Sequence, residues 1–307
     1  MLRELDIGRR PDTATVRSAL KDGFFLVRNS VPEGLLDESY GLLESFFSLP
    51  AWQKEDARVP GSNGQSGYTP PLVETAEKSG SKPDWKELFH WGPLLPEGHP
   101  LRARYPARYP TPLLPDDLVP GIGKVLTELH TKMQEFQIRV VGVIAEALGV
   151  QPSYFEEMLH DGPVVNRAAW YPPMDIAPSP DYTWAVEHQD FDLITALPRA
   201  TAPGLQVLLQ DGEWLPVHAP EGYAVVNVGM VLERLTNGLA RAAVHRVVAA
   251  PSQGAGRLSI VQFCHPTPWT VLTPLSLPDA PAIPRHPTLT ADALFERTMY
   301  RINRLGM

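Results

Sequence analysis

Gly204-Leu205-Gln206-Val207-Leu208-Leu209-Gln210-Asp211-Gly212-Glu213-Trp214-Leu215-Pro216-Val217 reads as a β-hairpin. Two β-rich runs flank Asp211-Gly212, a dipeptide suited to the tight turn that joins antiparallel strands. Runs of the same kind surround it at Ala185 to Glu187, Leu193 to Ala196, Ala224 to Val228, Ala243 to Val248 and Leu258 to Phe263. Many short strands separated by regular turns predict a double-sheet jelly roll. The β texture begins near Val164.

Upstream of Val164 the pattern is largely helical. Residues 13–22 read as a short helix ahead of a strand, Gly23-Phe24-Phe25-Leu26-Val27. Pro32-Glu33 opens a helix that runs to about Ser48. Across 121–149, Leu126, Leu129, Met133, Phe136, Val140 and Ile144 recur at three- and four-residue steps, one apolar stripe along a long helix. Gly149 is placed to cap it. A shorter helix is expected from Pro152 to Leu159. The expected fold is therefore mainly β with N-terminal helices, a double-stranded β-helix (jelly roll) core flanked by α-helices. Residues 1–160 form the helical N-terminal region, 161–270 the jelly-roll core and 271–307 a C-terminal extension, within one globular unit. No internal repeat or separating linker interrupts the chain.

Composition narrows the function. The 307 residues are 43% hydrophobic, enough to bury a real core. Twenty-seven basic against 35 acidic residues leave a net charge of −8 with no basic block, which disfavours nucleic acid and anionic membranes as partners. No apolar run reaches spanning length and the first residues lack an apolar leader. The single cysteine, Cys264, fits a reducing compartment. A cytoplasmic protein with a small-molecule partner is expected; oligomeric state is not legible. Thirty-three prolines cluster in connections, implying long loops of the kind that carry substrate contacts.

The chemistry is concentrated in the β half. His188 and Asp190, at i and i+2 of an extended segment, present an imidazole and a carboxylate to the same side. His245, in the β-rich run Ala243-Val244-His245-Arg246-Val247-Val248, is placed to add a second imidazole. Two histidines and one carboxylate on one face, with the opposite face open, are the donor set of non-haem Fe(II) oxygenases. Twelve residues after His245 comes Arg257-Leu258-Ser259, another i, i+2 pair. An arginine there offers a planar fork for a carboxylate and the serine adds a donor. The other histidines (His90, His99, His130, His160, His218, His265 and His286) read as structural or surface residues.

An ordered string of motifs resembles the isopenicillin N synthase-like group of 2-oxoglutarate/Fe(II)-dependent dioxygenases, which includes flavonoid and gibberellin oxygenases. Asp22 to Asn29 resembles the family's N-terminal "WGFFxVxNHG", and Phe46-Phe47-Ser48-Leu49-Pro50 with Lys54 resembles "FFxLPxxxK". Gly67-Tyr68 and Lys82 to Glu87 resemble "GY…KxDWxE". Trp170-Tyr171-Pro172-Pro173 resembles "NYYPPC", and His188-Gln189-Asp190 with Leu193 and Thr195 resembles "HTDxxxLT". Gly204 to Trp214 resembles "GLQVxxxGxW". Asn227-Val228-Gly229, Thr236-Asn237-Gly238, His245-Arg246-Val247 and Arg257-Leu258-Ser259 follow in the family's order.

The resemblance implies a dioxygenase with Fe(II), 2-oxoglutarate as co-substrate and O2. It implies His188, Asp190 and His245 as iron ligands, and Arg257 with Ser259 as the holders of the distal carboxylate of 2-oxoglutarate, assisted by Tyr171. Oxidation of a small natural-product-type substrate of secondary metabolism follows, with hydroxylation foremost and desaturation or ring formation open. The retained Asp190 argues against halogenation. Met230, Asp192 and Ala169 depart from the family's usual residues, which leaves the substrate contacts undetermined. Arg167, on the same strand face as Ala169, together with Phe191 and Trp170, are the candidate substrate residues. The C-terminal stretch from Phe295, with Tyr300, Arg301 and Asn303, reads either as a cover for the pocket or as a surface helix. Two rival readings stay open: a 2-oxoglutarate-independent Fe(II) oxidase, as isopenicillin N synthase and ACC oxidase are, and a non-catalytic binding protein on the same scaffold.

Overall fold

The computed structural model describes residues 2–28, 31–62, 65–73, 84–179, 181–250 and 254–303, the last four by backbone alone. The elements run β1 (Arg3–Leu5), α1 (Thr13–Asp22), β2 (Phe24–Arg28), α2 (Glu33–Phe47), α3 (Ala51–Glu55), β3 (Gly67–Thr69) and β4 (Glu87–Trp91). Then come α4 (Pro100–Arg104), α5 (Ile122–Leu148), α6 (Ser153–Leu159), β5 (Val165–Tyr171), β6 (Ala185–His188), β7 (Ile194–Pro198), β8 (Leu205–Leu208) and β9 (Trp214–Pro216). The chain continues through β10 (Tyr223–Val228), α7 (Met230–Leu235), β11 (His245–Val247), β12 (Arg257–Cys264) and α8 (Ala291–Asn303).

The strands form two sheets. An eight-stranded sheet has the order β1-β2-β10-β7-β12-β5-β4-β3, and a four-stranded sheet the order β6-β11-β8-β9. Their inner faces meet in one apolar cluster: Phe24, Leu88, Ala169 and Val225 from the large sheet pack with Leu205, Val207 and Val247 from the small one. The outer face of the large sheet is buried by helices. Leu126, Met133, Phe136 and Ile144 of α5 share a second cluster with Ala168, Leu258 and Ile260 of the sheet. Period-two alternation on the strands thus separates two cores. The jelly-roll core with flanking helices is the expected fold. No helix among the described residues is long and apolar enough to cross a membrane.

Two local outcomes differ from the sequence reading. The N-terminal region is not only helical; β1 to β4, between residues 3 and 91, complete both edges of the large sheet. Of these only β2 announces itself in sequence, because β1 and β3 are three residues long and β4 is buried throughout, with no alternation to read. The β8–β9 connection is also longer than a two-residue turn. Gly212 N–H donates to the Leu209 carbonyl at 3.2 Å and Leu209 N–H to the Glu213 carbonyl at 2.8 Å, while only Gly212 takes a positive φ, 88°. This is a type I turn closed by a glycine bulge.

Gly23 shows how tightly the helical layer is joined to the sheet. It ends α1 with φ 82°, and a Cβ there would lie 2.4 Å from the Arg241 carbonyl oxygen. Only glycine allows α1 to turn directly into β2, which pairs with β10 next to the site.

Candidate metal centre and its anion pocket

His188 ends β6, and antiparallel pairing sets it opposite His245 on β11. The two imidazole centroids lie 4.3 Å apart. Asp190 follows two residues later, beyond the end of the strand, and reaches across to the large sheet. Its Oδ2 accepts from Thr195 Oγ1 on β7 at 2.7 Å and from Asn227 Nδ2 on β10 at 2.8 Å. Thr195 and Asn227 are register partners, so two donors on one face of adjacent strands clamp one carboxylate oxygen. The other oxygen, Oδ1, lies 3.9 Å from Nε2 of His188 and 3.9 Å from Nε2 of His245.

The hydrogen bonding behind each imidazole decides what it offers in front. His188 Nδ1 lies 2.8 Å from the Val186 carbonyl oxygen and His245 Nδ1 lies 3.4 Å from that of Ala243. A carbonyl can only accept, so Nδ1 carries the proton and Nε2 presents its lone pair. Burial, with the neighbouring His188 adding to it, pushes the His245 imidazole down to about 4, so it is neutral at physiological pH. Burial alone would raise the Asp190 carboxyl, but His245, His188 and the Thr195 and Asn227 donors more than offset this and hold it below the usual carboxylate range. Two imidazole nitrogens and one carboxylate oxygen, all within 4.8 Å of one another, fit a divalent metal with part of its coordination sphere left open. Among the described residues this is the one such cluster.

Arg257 lies at the start of β12 and is 4% exposed. Its Nε donates to the Ala202 carbonyl at 3.0 Å, its Nη1 donates to Ser259 Oγ at 2.9 Å, and the guanidinium sits 5.1 Å from the centroid of the Tyr171 ring. Among the described residues no carboxylate pairs with it. A buried guanidinium without an anion is costly, and a cavity lined by Leu197, Ala202, Leu205, Val217, Arg257 and Ser259 opens against it. The charge and hydrogen-bond donors there fit the distal carboxylate of a small dicarboxylic acid.

The three candidate substrate residues separate. Tyr171, Ala169 and Arg167 share the inner face of β5, and Arg167 Nε donates to His90 Nε2 on β4 at 2.6 Å. Phe191, next to Asp190, packs against His265 and meets Phe295 edge to face. Trp170 lies on the opposite face of β5, packed against the helical core, and is not brought to the site. One residue of offset on a strand reverses the side chain. The sequence reading passed over His265. Its signal was spacing: it continues the period-two series Arg257, Ser259, Val261, Phe263 one step past the end of β12.

Comparisons with known proteins agree with this geometry. Residues 8–114 match the family described as non-haem dioxygenase in morphine synthesis N-terminal, and residues 159–266 match the 2OG-Fe(II) oxygenase superfamily. The chain is 32% identical over 281 residues to gibberellin 20 oxidase 2 of Oryza sativa subsp. indica, covering 91% of this chain and 67% of that protein. It is 30% identical to validamycin A dioxygenase of Streptomyces hygroscopicus subsp. limoneus, covering 83% and 71%. A solved structure of a 2OG-Fe(II) oxygenase family protein from Caulobacter crescentus superposes with a TM-score of 0.84 at 30% identity, over 98% of this chain and 99% of that one. Fold, donor set and relatedness converge: the chain belongs to the 2-oxoglutarate- and Fe(II)-dependent dioxygenases.

Proposed function

We propose that His188, Asp190 and His245 hold the iron, that Arg257 and Ser259 take the distal carboxylate of 2-oxoglutarate above the Tyr171 ring, and that the substrate is a small natural-product-type molecule. Gibberellin 20 oxidase and validamycin A dioxygenase, both similar to this chain, carry names of such compounds. When bound, Fe(II) would let O2 act as a four-electron oxidant, two electrons coming from 2-oxoglutarate as it becomes succinate and CO2 and two from the substrate C–H bond, with one oxygen atom going into succinate and the other into the hydroxylated substrate.

The residues of the chain orient these groups. Val186 and Ala243 carbonyls fix the tautomers of the two imidazoles. Thr195 and Asn227 occupy one oxygen of Asp190, which leaves the other directed at the imidazoles. Arg257 and Ser259 are already joined by a hydrogen bond, so the carboxylate meets a preorganised pair.

The observation that carries the reading is the buried Arg257 guanidinium, without a carboxylate partner among the described residues, beside a donor set suited to Fe(II). Succinate release and O2 uptake, each measured with and without 2-oxoglutarate, test it. Both are expected to require 2-oxoglutarate and to vanish in His188→Ala and Asp190→Ala. O2 uptake that is indifferent to 2-oxoglutarate would instead establish the oxidase alternative.

A further inference from the structure

Strand β12 lies between β7 and β5, so neither of its edges is open. Yet Val261 and Phe263 are partly exposed, while the alternating Ile260, Gln262 and Cys264 are buried. Side chains at the centre of a sheet reach solvent only where its inner face borders a chamber. That same face carries Arg257 and Ser259 at its other end. Thr195, which holds Asp190, is the register partner of Phe263. The inner face of β12 therefore runs from the anion pocket, past the metal centre, to a second wall.

The second wall has a distinct chemistry. Arg167 lies in register with Val261, and its guanidinium sits 5.1 Å from the centroid of the Phe263 ring. Its Nε is engaged by His90, which orients the fork. Four residues of register separate Arg167 from the Tyr171–Arg257 pair, about 13 Å at the rise of a strand. One 2-oxoglutarate cannot occupy both arginines. Beyond Phe263, the His265 ring lies 5.5 Å from Phe191 and 6.5 Å from Phe295. His265 is 5% exposed, and its ring nitrogens have no hydrogen-bond partner among the described residues. Phe191 directly follows Asp190, so its ring contact sets His265 on the side of the metal centre. The His265 ring nitrogens are not among the fully buried unpaired polar atoms, so they are open to solvent, where a ligand can meet them.

We propose that Arg167, Phe263 and His265 form the substrate-recognition wall, and that it selects a small planar acid. The substrate carboxylate meets the Arg167 guanidinium, the unsaturated or aromatic body lies over Phe263 and against Phe191, and a polar substituent at the far end meets the His265 imidazole. Two residues of rise between Phe263 and His265, about 7 Å, match one ring with its substituents. Aromatic faces favour a planar body, and the guanidinium favours a carboxylate over a neutral isostere. The inference rests on the dioxygenase reading and adds the substrate class.

The test is calorimetric binding to the anaerobic Fe(II)–2-oxoglutarate protein. The probes are benzoate, cinnamate and 4-hydroxycinnamate, with the corresponding amides. Acids are expected to bind at least tenfold more tightly than their amides. Arg167→Gln is expected to abolish that preference, and Arg167→Lys to retain most of it. The gain of 4-hydroxycinnamate over cinnamate is expected to disappear in His265→Phe and to persist in His265→Gln. Circular dichroism melts establish that each variant is folded, and 2-oxoglutarate is titrated into the same proteins. If the wild type binds 2-oxoglutarate but no acid up to about 5 mM, or if Arg167→Gln keeps the acid preference, the recognition wall is refuted and the dioxygenase reading stands. If the wild type fails to bind 2-oxoglutarate, the dioxygenase reading itself falls.

Discussion

Asp190 and Asp192 share one hydroxyl. Thr195 Oγ1 lies 2.7 Å from Asp190 Oδ2 and 2.9 Å from Asp192 Oδ2. A hydroxyl has a single proton to give, and the ligand carboxylate takes it. Asp192 must then bring a proton of its own to the contact. Burial first, and the Asp190 charge second, push the Asp192 carboxyl well above its ordinary range, which favours the protonated form that can donate. Asp192→Asn preserves a donor at the same place and is expected to hold Fe(II) affinity within about threefold. Asp192→Ala removes it, leaves Thr195 under-bonded, and is expected to cost about 2–3 kcal/mol in chemical denaturation. Equal stability of the two variants would contradict this account.

Arg257 is expected to govern the co-substrate rather than the metal. Arg257→Gln removes the charge from a buried anion pocket, so the KM for 2-oxoglutarate should rise about 30-fold or more. Fe(II) affinity, measured anaerobically, should stay within about twofold. Arg257→Lys restores charge without the fork, and its KM should fall between the two.

Phe295 ties α8 to the site. The Arg108 guanidinium sits 3.7 Å from the centroid of its ring, and the Phe191 ring centroid is 5.7 Å away, edge to face. Arg108 is buried, with Asp292 of the same helix 3.9 Å distant. The C-terminal helix is therefore docked rather than a free surface helix, although the side chains of Tyr300, Arg301 and Asn303 lie outside the described residues. Phe295→Ala is expected to destabilise the protein by about 3 kcal/mol and to lower substrate affinity. Phe295→Leu should recover most of the stability. Thermal melts and substrate titration measure the two effects separately.

His130 gives the fold an acid-sensitive point away from the metal. It is buried on α5, and its Nδ1 accepts from Asn166 Nδ2 at 2.6 Å. Burial pushes the imidazole down to about 4, against about 6.5 in an unfolded chain. Between those values the unfolded chain binds a proton that the folded one excludes. Stability contributed by this group is thus complete above about pH 6.5 and is lost as pH falls towards 4, by about 3 kcal/mol in all. Urea denaturation of the metal-free protein at pH 7, 5.5 and 4.5 should show the decline. His130→Gln should be less stable at pH 7 but fall less steeply with acid; an unchanged slope would exclude His130 as the source.

The long helix was readable because Leu126, Met133, Phe136 and Ile144 recur with the helical period, and that pattern depends on nothing outside the segment. The strands around His188, Asp190 and Arg257 were readable for the same reason, with turn residues between them. β4 was not, because Glu87–Trp91 is buried on both faces and so carries no alternation. His265 was not, because a lone histidine past a strand end looks the same whether it faces a core or a chamber. Trp170 was read as lining the pocket, while the register of β5 against β12 turns it towards the helices.

From residue order alone came the donor types, their two-residue spacings and the jelly-roll class, since each follows from local periodicity and side-chain chemistry. Only the folded chain decided that Thr195 and Asn227 hold Asp190, that Arg257 lacks a carboxylate partner among the described residues, and that Arg167 lies against Phe263. Those relationships join residues tens of positions apart, through strand register and sheet stacking. Neither leaves a mark within any single segment, because the free energy that sets them belongs to contacts between segments.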